Sequence, residues 1–359
     1  MRKIANSPER AKRSVWKRML LFGLSAIILL IGSGFIYEWL ASKQAIKHYP
    51  APGEMVDIGG YKLHINKIGS GAPTILLEAG SGETSLSWRD IPAQLAEHAT
   101  VVSYDRAGYA WSEEADEERT GANIVKELHS ALEKEAIAGP YLVVGHSLGG
   151  MYARLFTQTY PQEVSGLVLI DARPENDERD TKPILEQENF SGNPPASALK
   201  LLKNSGLFRL FEDFLLEGLV EEQDRGQFIN VIAKPSYFDA KEKEGVLAYT
   251  TEDAIRGQHL GALPVRIIAR GLPQNYAQAG LSADSGRKLE AIWQAGQRGM
   301  LDISTDSELI IAENSGHMVI HDQPELVVET ILNLFKQKRL QRTLDAEVAL
   351  TVKYKPYIN

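Results

Sequence analysis

Short apolar runs alternate with amphipathic segments along most of the chain after residue 55. The apolar runs are rich in Val, Ile and Leu on both faces, which is typical of strands buried inside a parallel sheet. The segments between them repeat apolar residues at helical spacing. This alternation predicts an α/β fold in which helices cover both faces of a mostly parallel, doubly wound sheet. The predicted strands are 73–80, 100–108, 141–147, 164–172, 264–271 and 307–314, and the predicted helices are 87–99, 122–136, 148–160, 285–297 and 325–340.

Two further segments extend this alternating pattern. Residues 55–69 read as a hairpin of two strands that turn at Gly59-Gly60. A long interruption separates the predicted sixth and seventh strands, and its residues 198–220 carry apolar side chains at helical spacing. We therefore predict a helical insertion between these strands.

The first forty residues differ from the rest of the chain. Residues 19–37 contain no charged side chain, and this length of helix crosses a bilayer core of about 30 Å. Seven basic residues and one acidic residue precede the run within residues 1–18. The pattern predicts a single transmembrane helix at 19–40, with the N-terminus in the cytoplasm and the rest of the chain outside. A cleaved signal peptide is the alternative, although only a poor cleavage site follows the run.

The remaining residues carry 32 basic and 46 acidic side chains, a net charge of −14. This surface repels phosphate backbones, so nucleic acid is not expected as a partner. The chain has no Cys, which excludes disulfides, thiolate metal sites and Cys nucleophiles. Neither a metal-binding His motif nor a dinucleotide fingerprint occurs, so we expect no metal and no cofactor.

The strongest chemical signal is the sequence Gly145-His146-Ser147-Leu148-Gly149, which fits the pattern G-x-S-x-G. In this pattern a strand turns so sharply into a helix that the serine hydroxyl projects from the sheet, and glycines prevent collisions across the turn. The motif lies where a predicted strand meets a predicted helix, as this geometry requires. Ser147 is therefore the predicted nucleophile.

Four motifs, "LLEAGSG", "YDRAGYAWS", "GHSLGG" and "NSGHMVIHDQPE", together resemble the α/β-hydrolase superfamily over about 56–338. The resemblance implies a hydrolase core in two parts, 56–172 and 264–340, with a helical cap at 173–263. A cytoplasmic basic segment (1–18), the membrane helix (19–40), a linker (41–55) and a C-terminal tail (341–359) complete the predicted organisation.

A serine hydroxyl needs a neighbouring base to take its proton. The resemblance places this base at His317, in the Gly-His pair after the last predicted strand. His321 is the local alternative, with packing or capping as its more ordinary role. His146 is expected to point away from Ser147 and to be structural.

The acid of the triad departs from the commoner family pattern. Most relatives place it after strand seven, but no carboxylate occurs between Arg270 and Asp284, and Asp284 is expected near the start of a helix. Asp171 ends strand six beside the nucleophile strand, where some relatives keep their acid, and it is our candidate. Asp302 and Asp306 are weaker candidates.

Negative charge on the substrate oxygen requires two backbone N–H donors, the oxyanion hole. Leu148, which follows the nucleophile, should supply one. The second should come from the loop Ala79-Gly80-Ser81-Gly82, where we expect Ser81, with Gly82 as the alternative.

These observations predict a membrane-anchored serine hydrolase that cleaves a small-molecule carboxylic ester, or a related acyl bond, outside the cytoplasm. A catalytically silent domain used for binding or as a scaffold is the alternative. The stripe Leu207-Phe211-Phe214-Leu215 could line an acyl pocket, but we expect most of it to form the core of the cap. The sequence leaves the acyl chain of the substrate and the oligomeric state open.

Overall fold

The computed structural model describes residues 8–190, 192, 194–217 and 220–337, with the side chains of 8–15 left out. Residues 1–7 of the predicted basic segment and the whole predicted C-terminal tail lie outside these residues. The strands in this part of the chain are β1 (Glu54–Asp57), β2 (Lys62–Gly69), β3 (Thr74–Glu78), β4 (Thr100–Tyr104), β5 (Tyr141–His146), β6 (Val164–Ile170), β7 (Val265–Arg270) and β8 (Ser307–Ala312).

The helices are described within the same limits. They are α1 (Pro8–His48), α2 (Ile91–Ala96), α3 (Gly121–Lys134), α4 (Leu148–Thr159), α5 (Asp177–Gln187), α6 (Ala196–Asn204), α7 (Leu207–Leu210), α8 (Glu212–Leu215), α9 (Glu222–Gln227), α10 (Pro235–Ile255), α11 (Ala283–Gly299) and α12 (Val319–Asp322), and α13 covers 324–337. Short turns of 3-10 helix occupy Ser85–Trp88, Pro161–Glu163 and Met300–Ile303, and a π-helical turn occupies Phe228–Ile232.

The eight described strands form one sheet in the order β1-β2-β4-β3-β5-β6-β7-β8. β2 pairs antiparallel with both β1 and β4, and all other neighbouring strands in this sheet are parallel. Every residue of β3 and β5 is buried, as expected for strands covered on both faces. The sheet confirms the predicted α/β architecture.

The chain divides into two compact units. The first, which we call the sheet unit, contains residues 51–194 and 239–359, and the second, the helical unit, contains residues 1–50 and 195–238. The division cuts through the predicted cap at 173–263, because α5 and most of α10 belong to the sheet unit. Only 195–238 joins α1 in the helical unit.

The sheet unit holds both ends of the predicted cap through buried contacts. Arg106 of the loop after β4 forms an ion pair with Glu244 of α10, and Arg154 of α4 donates to the carbonyl of Ile255. Gly296 of α11 packs directly on Pro174. The residues that make each contact are far apart in the sequence, so the local helical pattern could not predict the contacts.

The helical unit contains one helix long and apolar enough to cross a membrane, within residues Trp16–His48. Its apolar window has a mean hydropathy of 2.4, and none of that window is buried. The predicted span at 19–40 lies inside this helix. The predicted stripe in the cap is not a core, since Phe211 is 50% exposed and Phe214 is 81% exposed.

Candidate active site

Ser147 sits at the turn between β5 and α4 with φ 52° and ψ −124°, a backbone conformation that non-glycine residues rarely adopt. Its N–H donates to the carbonyl of Ile170 at 3.0 Å, which ties the turn to β6. A Cβ at Gly145 would lie 2.6 Å from the carbonyl oxygen of Gly149, and a Cβ at Gly149 would collide with the carbonyls of β3 and its loop. The glycines are therefore required by the close approach of backbone at this turn.

The structure brings Ser147, His317 and Asp171 into one hydrogen-bonded chain. Ser147 Oγ lies 2.9 Å from His317 Nε2, and His317 Nδ1 lies 2.6 Å from Asp171 Oδ2. His317 follows β8, and Asp171 follows β6, so the three side chains meet at the carboxyl edge of the sheet. This is the spatial order that a serine, a general base and an orienting carboxylate require.

Asp171 is fully buried and accepts hydrogen bonds from three side chains. Besides His317, Arg270 Nη1 donates at 2.8 Å and Trp293 Nε1 donates at 2.9 Å. Burial alone would raise the pKa of Asp171, but the hydrogen bond from His317 and the positive charges nearby outweigh it and hold this pKa below its ordinary value. The Asp171 carboxyl group therefore loses its proton more readily than an ordinary aspartate does.

The other candidate acids and the alternative histidine lie in different surroundings. Asp284 begins α11 and pairs with Lys288 at 2.6 Å, while Asp306 pairs with Arg266 at 3.1 Å. His321 Nε2 hydrogen-bonds to the carbonyl of Ser87 at 2.8 Å, a packing contact of the kind expected for it. Asp302 lies in the 3-10 turn before β8. None of these is hydrogen-bonded to His317 among the described residues.

The loop after β3 is held from both sides. Arg106 is buried, and its Nη1 and Nη2 donate to the carbonyls of Ala79 at 2.6 Å and Gly80 at 2.7 Å. In a trans peptide the N–H points opposite to the preceding carbonyl, so the N–H of Ser81 points away from Arg106. The N–H groups of Ser81 and Leu148 have no hydrogen-bond partner in the part of the chain that the structure describes.

Glu83 connects this loop to the nucleophile turn and to the histidine loop. Its carboxylate accepts from the N–H of Gly80 at 2.8 Å and lies 2.9 Å from His146 Nδ1. The opposite ring nitrogen of His146 lies 2.9 Å from the carbonyl of His317. His146 is thus structural, as predicted, and it bridges two segments of the site.

Sequence reasoning missed Glu83, Arg106, Arg270 and Trp293. Apart from the short-range bond between Glu83 and Gly80, the contacts of these residues join positions far apart in the chain. Arg106 lies within the motif "YDRAGYAWS", but the motif does not indicate its partners. One signal was available in the sequence: charged residues stand at the last position of two buried strands, Glu78 in β3 and Arg270 in β7, and buried charges require partners. The described residues hold no group of three His, Cys, Asp or Glu side chains suited to a metal ion.

The chain resembles proteins that have been described before. It is 27% identical to the uncharacterised Bacillus subtilis protein YbdG over 164 residues, 44% of this chain and about half (50%) of YbdG. It is 26% identical to a soluble epoxide hydrolase of Corynebacterium sp. strain C12 over 301 residues, 79% of this chain and 96% of that enzyme. A crystal structure of a probable hydrolytic enzyme from Pseudomonas aeruginosa shares the fold, with a TM-score of 0.59, 18% identity, and coverage of 80% of this chain and 95% of that one.

The sheet order, the turn at Ser147 and these similarities agree with the match of residues 75–330 to the alpha/beta hydrolase family. The matched range covers more than half of the chain and contains the three hydrogen-bonded side chains. The protein therefore belongs to the alpha/beta hydrolase family.

Proposed function

We propose that the protein is a serine hydrolase that cleaves a carboxylic ester through an acyl-enzyme, with Ser147 as nucleophile, His317 as base and Asp171 as the orienting acid. The observation that carries the proposal is the hydrogen-bonded chain from Ser147 Oγ through the two ring nitrogens of His317 to Asp171. A binding domain gains nothing from this arrangement, whereas acyl transfer requires it.

The reaction has two steps, acylation of Ser147 and hydrolysis of the acyl-enzyme. Ser147 Oγ bonds to the ester carbonyl carbon while His317 Nε2 takes the hydroxyl proton of Ser147. The carbonyl oxygen then carries the negative charge. The imidazolium then gives its proton to the departing alkoxide as the carbon–oxygen bond breaks, which leaves the acyl group on Ser147. Water repeats the sequence, releases the carboxylic acid and restores the serine.

The N–H groups of Leu148 and Ser81 are our candidates for the oxyanion hole. Two features of the geometry support Ser81: its N–H points away from Arg106, and the preceding carbonyl is fixed by the guanidinium. Donors that are held in place before the reaction stabilise the transition state without reorganisation. Arg106 is then a positioning residue that acts through the loop backbone.

Because one relative is an epoxide hydrolase, epoxide opening is an alternative reaction to consider for this chain. Family members that open epoxides form an alkyl ester on an Asp, and this chain has Ser147 at that position. A serine hydroxyl is far less suited to this step than a carboxylate. We therefore favour acyl transfer to water, and we expect no turnover of styrene oxide.

The anchoring part of the proposal rests on α1. Its uncharged run, the basic residues that precede it, and the aromatic residues Trp16, Tyr37 and Trp39 at the two ends support a helix that spans a membrane with its C-terminal end outside. The hydrolase site then faces the exterior. We propose that α1 is retained as an anchor rather than removed as a signal sequence.

Turnover of p-nitrophenyl esters by the purified full chain tests the reaction. We expect Ser147→Ala and His317→Ala each to remove nearly all hydrolysis, and the double variant to be little worse, because the two residues act as a unit. His321→Ala is the matched control and should retain activity. Full activity in His317→Ala would refute the assignment of the base, and an inactive but folded wild type over a range of acyl lengths would favour the scaffold alternative.

A further inference from the structure

The helical unit exposes a group of large apolar side chains outside α1. They lie on α6, α7 and α8 and at the junction of the last two, and we call them the apolar patch: Leu201 (61% exposed), Leu207 (36%), Leu210 (71%), Phe211 (50%) and Phe214 (81%). Single exposed apolar residues are ordinary on soluble proteins, but five within residues 201–214 are not. Such a concentration indicates an interaction surface.

The patch is not the remainder of an incompletely packed segment. Phe208, within this stretch, and Leu216, just after it, are buried, and Phe208 stacks on Phe238 with 6.1 Å between ring centroids. The helical unit therefore has a core of its own. α7 buries Phe208 and leaves Leu207 and Leu210 outside that core.

The segment that carries the patch contacts α1 inside its apolar run. A Cβ at Gly34 would collide with the carbonyl of Ser205, and a Cβ at Gly206 would lie 3.1 Å from the carbonyl oxygen of Gly34. The corner between α6 and α7 thus packs on backbone at Gly34, where only a glycine leaves enough room. This places Ser205 and Gly206, just before α7, against α1 within the outer part of the predicted span.

A cluster of ion pairs also joins α6 and α7 to α1, about one helical turn after Gly34. Glu38 is buried and pairs with Lys203 of α6, and its second oxygen accepts from Arg209 Nε of α7 at 2.7 Å. Gly34 and Glu38 are about 6 Å apart along the helix axis at the standard helical rise. Both lie at the outer end of the apolar run, beside Tyr37 and Trp39, the kind of rings that prefer a membrane–water interface.

We propose that the apolar patch inserts into the outer leaflet of the bilayer that α1 spans, so that residues 195–216 form a second, interfacial contact with lipid. This inference rests on the anchoring part of the proposed function. The exposed Leu and Phe side chains lose their contact with water, and Glu38 keeps its partners at the depth where a carboxylate would otherwise be costly.

The charge of the segment narrows the lipid chemistry. Residues 195–238 carry five basic and six acidic side chains, which gives no excess of positive charge to attract anionic head groups. Insertion is therefore driven by apolar burial. It should occur in vesicles of phosphatidylcholine alone, and added phosphatidylserine should not increase it.

Spin labels on single cysteines test the proposal directly, because the chain contains no native Cys. The full chain, with Leu210→Cys or Phe214→Cys, is labelled with a nitroxide and reconstituted in phosphatidylcholine vesicles. Collisions with oxygen report contact with lipid, and collisions with a water-soluble nickel chelate report contact with water. Glu222→Cys, on the exposed start of α9, is the matched control, and Leu29→Cys is the reference within the span.

We expect the ratio of oxygen to nickel collisions to be several-fold higher at 210 and 214 than at 222, and to approach the ratio at 29. Equal ratios at 214 and 222 would overturn the proposal. Low access to both reagents at 210 and 214 would also overturn it, since that pattern indicates a protein partner or a second copy. A water-like ratio at 29 would overturn it together with the anchor.

Ester hydrolysis by the same labelled samples separates this inference from the proposed chemistry. Active samples with water-like ratios at 210 and 214 refute only the lipid contact. Inactive samples with lipid-like ratios at these positions refute the hydrolase assignment and leave the lipid contact standing. The labelled positions lie on the exposed surface, so the labels themselves should leave basal hydrolysis unchanged.

Discussion

Asp171 shows how a single buried carboxylate is kept charged. It has no exposure to solvent, yet His317, Arg270 and Trp293 all donate to its two oxygens. Arg270 is a second positive partner of Asp171, so the carboxylate does not depend on His317 alone for a counter-charge. Arg270 also forms an ion pair with Glu290 at 2.7 Å. Asp171 can therefore remain in place while the proton on His317 comes and goes.

Replacing this acid gives the sharpest prediction at the residue scale. We expect Asp171→Asn to stay folded and to lower kcat by about 10⁴-fold, because an amide holds the imidazole in the wrong tautomer. Asp284→Asn is the matched control, since its side chain is exposed and pairs with Lys288. Steady-state ester hydrolysis measures both, and near-normal turnover in Asp171→Asn with a loss in Asp284→Asn would move the acid to the position after strand seven.

The three residues of the proposed triad could be selected from the sequence because each follows a predicted strand in a short recognisable context. Ser147 lies between two glycines in the pattern G-x-S-x-G, His317 lies in a Gly-His pair, and Asp171 follows an apolar strand. Arg270 and Trp293 could not be found in this way, since their contacts with Asp171 span 99 and 122 residues of chain. Such partners are fixed by strand order and helix packing, which no local pattern encodes.

Three loops at the carboxyl edge of the sheet are joined by Glu83 and His146. Burial alone would lower the pKa of His146, but the charge of Glu83 and its hydrogen bond outweigh burial and raise this pKa above its ordinary value. Burial would likewise raise the pKa of Glu83, and the charge of His146 outweighs it and lowers that pKa. The pair is therefore charged over a pH range wider than either group would allow by itself.

The pair gives a prediction with a definite sign. Glu83→Gln removes the charge that raises the pKa of His146, so that pKa should fall, and the histidine should lose its proton at lower pH than in the wild type. Measuring the ring resonances of His146 by NMR across pH checks this directly, with Glu163→Gln, beside His129, as the matched control. An unchanged titration of His146 would show that Glu83 does not hold its proton.

A second buried cluster supports the loop after β3. Glu78 accepts from Tyr104 at 2.5 Å and from Arg106 at 2.9 Å, and Arg106 also pairs with Glu244. Burial raises the pKa of Glu78 to about 7 despite the opposing charge of Arg106. The end of β3 therefore carries a carboxyl that is protonated under mildly acidic conditions.

The raised pKa makes stability depend on pH. A group whose pKa is higher in the folded state contributes stability that is present below its ordinary pKa of 4.5 and is lost as pH rises through about 7. We expect Glu78→Gln to remove this loss, which is at most about 3 kcal/mol. Urea unfolding in detergent at pH 5 and pH 8 measures it, and the same pH dependence in wild type and variant would contradict the assignment.

At the scale of the whole molecule, the sequence predicted the sheet and the long apolar helix α1, but it did not predict how the cap divides between the two units. The strands and most helices follow from apolar runs and helical spacing. Residues 195–238 lie in the unit of α1, and their contacts with that helix include the ion pairs of Glu38 with two basic residues that are 165 and 171 positions away. A single acid at the end of an apolar helix was the available signal, because such a group requires a partner.

Orientation is the prediction that belongs to this scale. Basic residues precede the uncharged run of α1, so a protease added to intact cells should cut the region after residue 42, while an epitope placed before residue 8 should stay protected. Lysed cells are the control in which both are cut. Protection of the later region until lysis would reverse the orientation.

Covalent labelling shows whether Ser147 is a nucleophile that its neighbours activate. The folded full chain is incubated with a fluorophosphonate and the modified peptide is identified by mass spectrometry. We predict one adduct, on Ser147, which is absent in Ser147→Ala and strongly slowed in His317→Ala. A folded wild-type protein that forms no adduct, or forms it on another serine, would contradict the account.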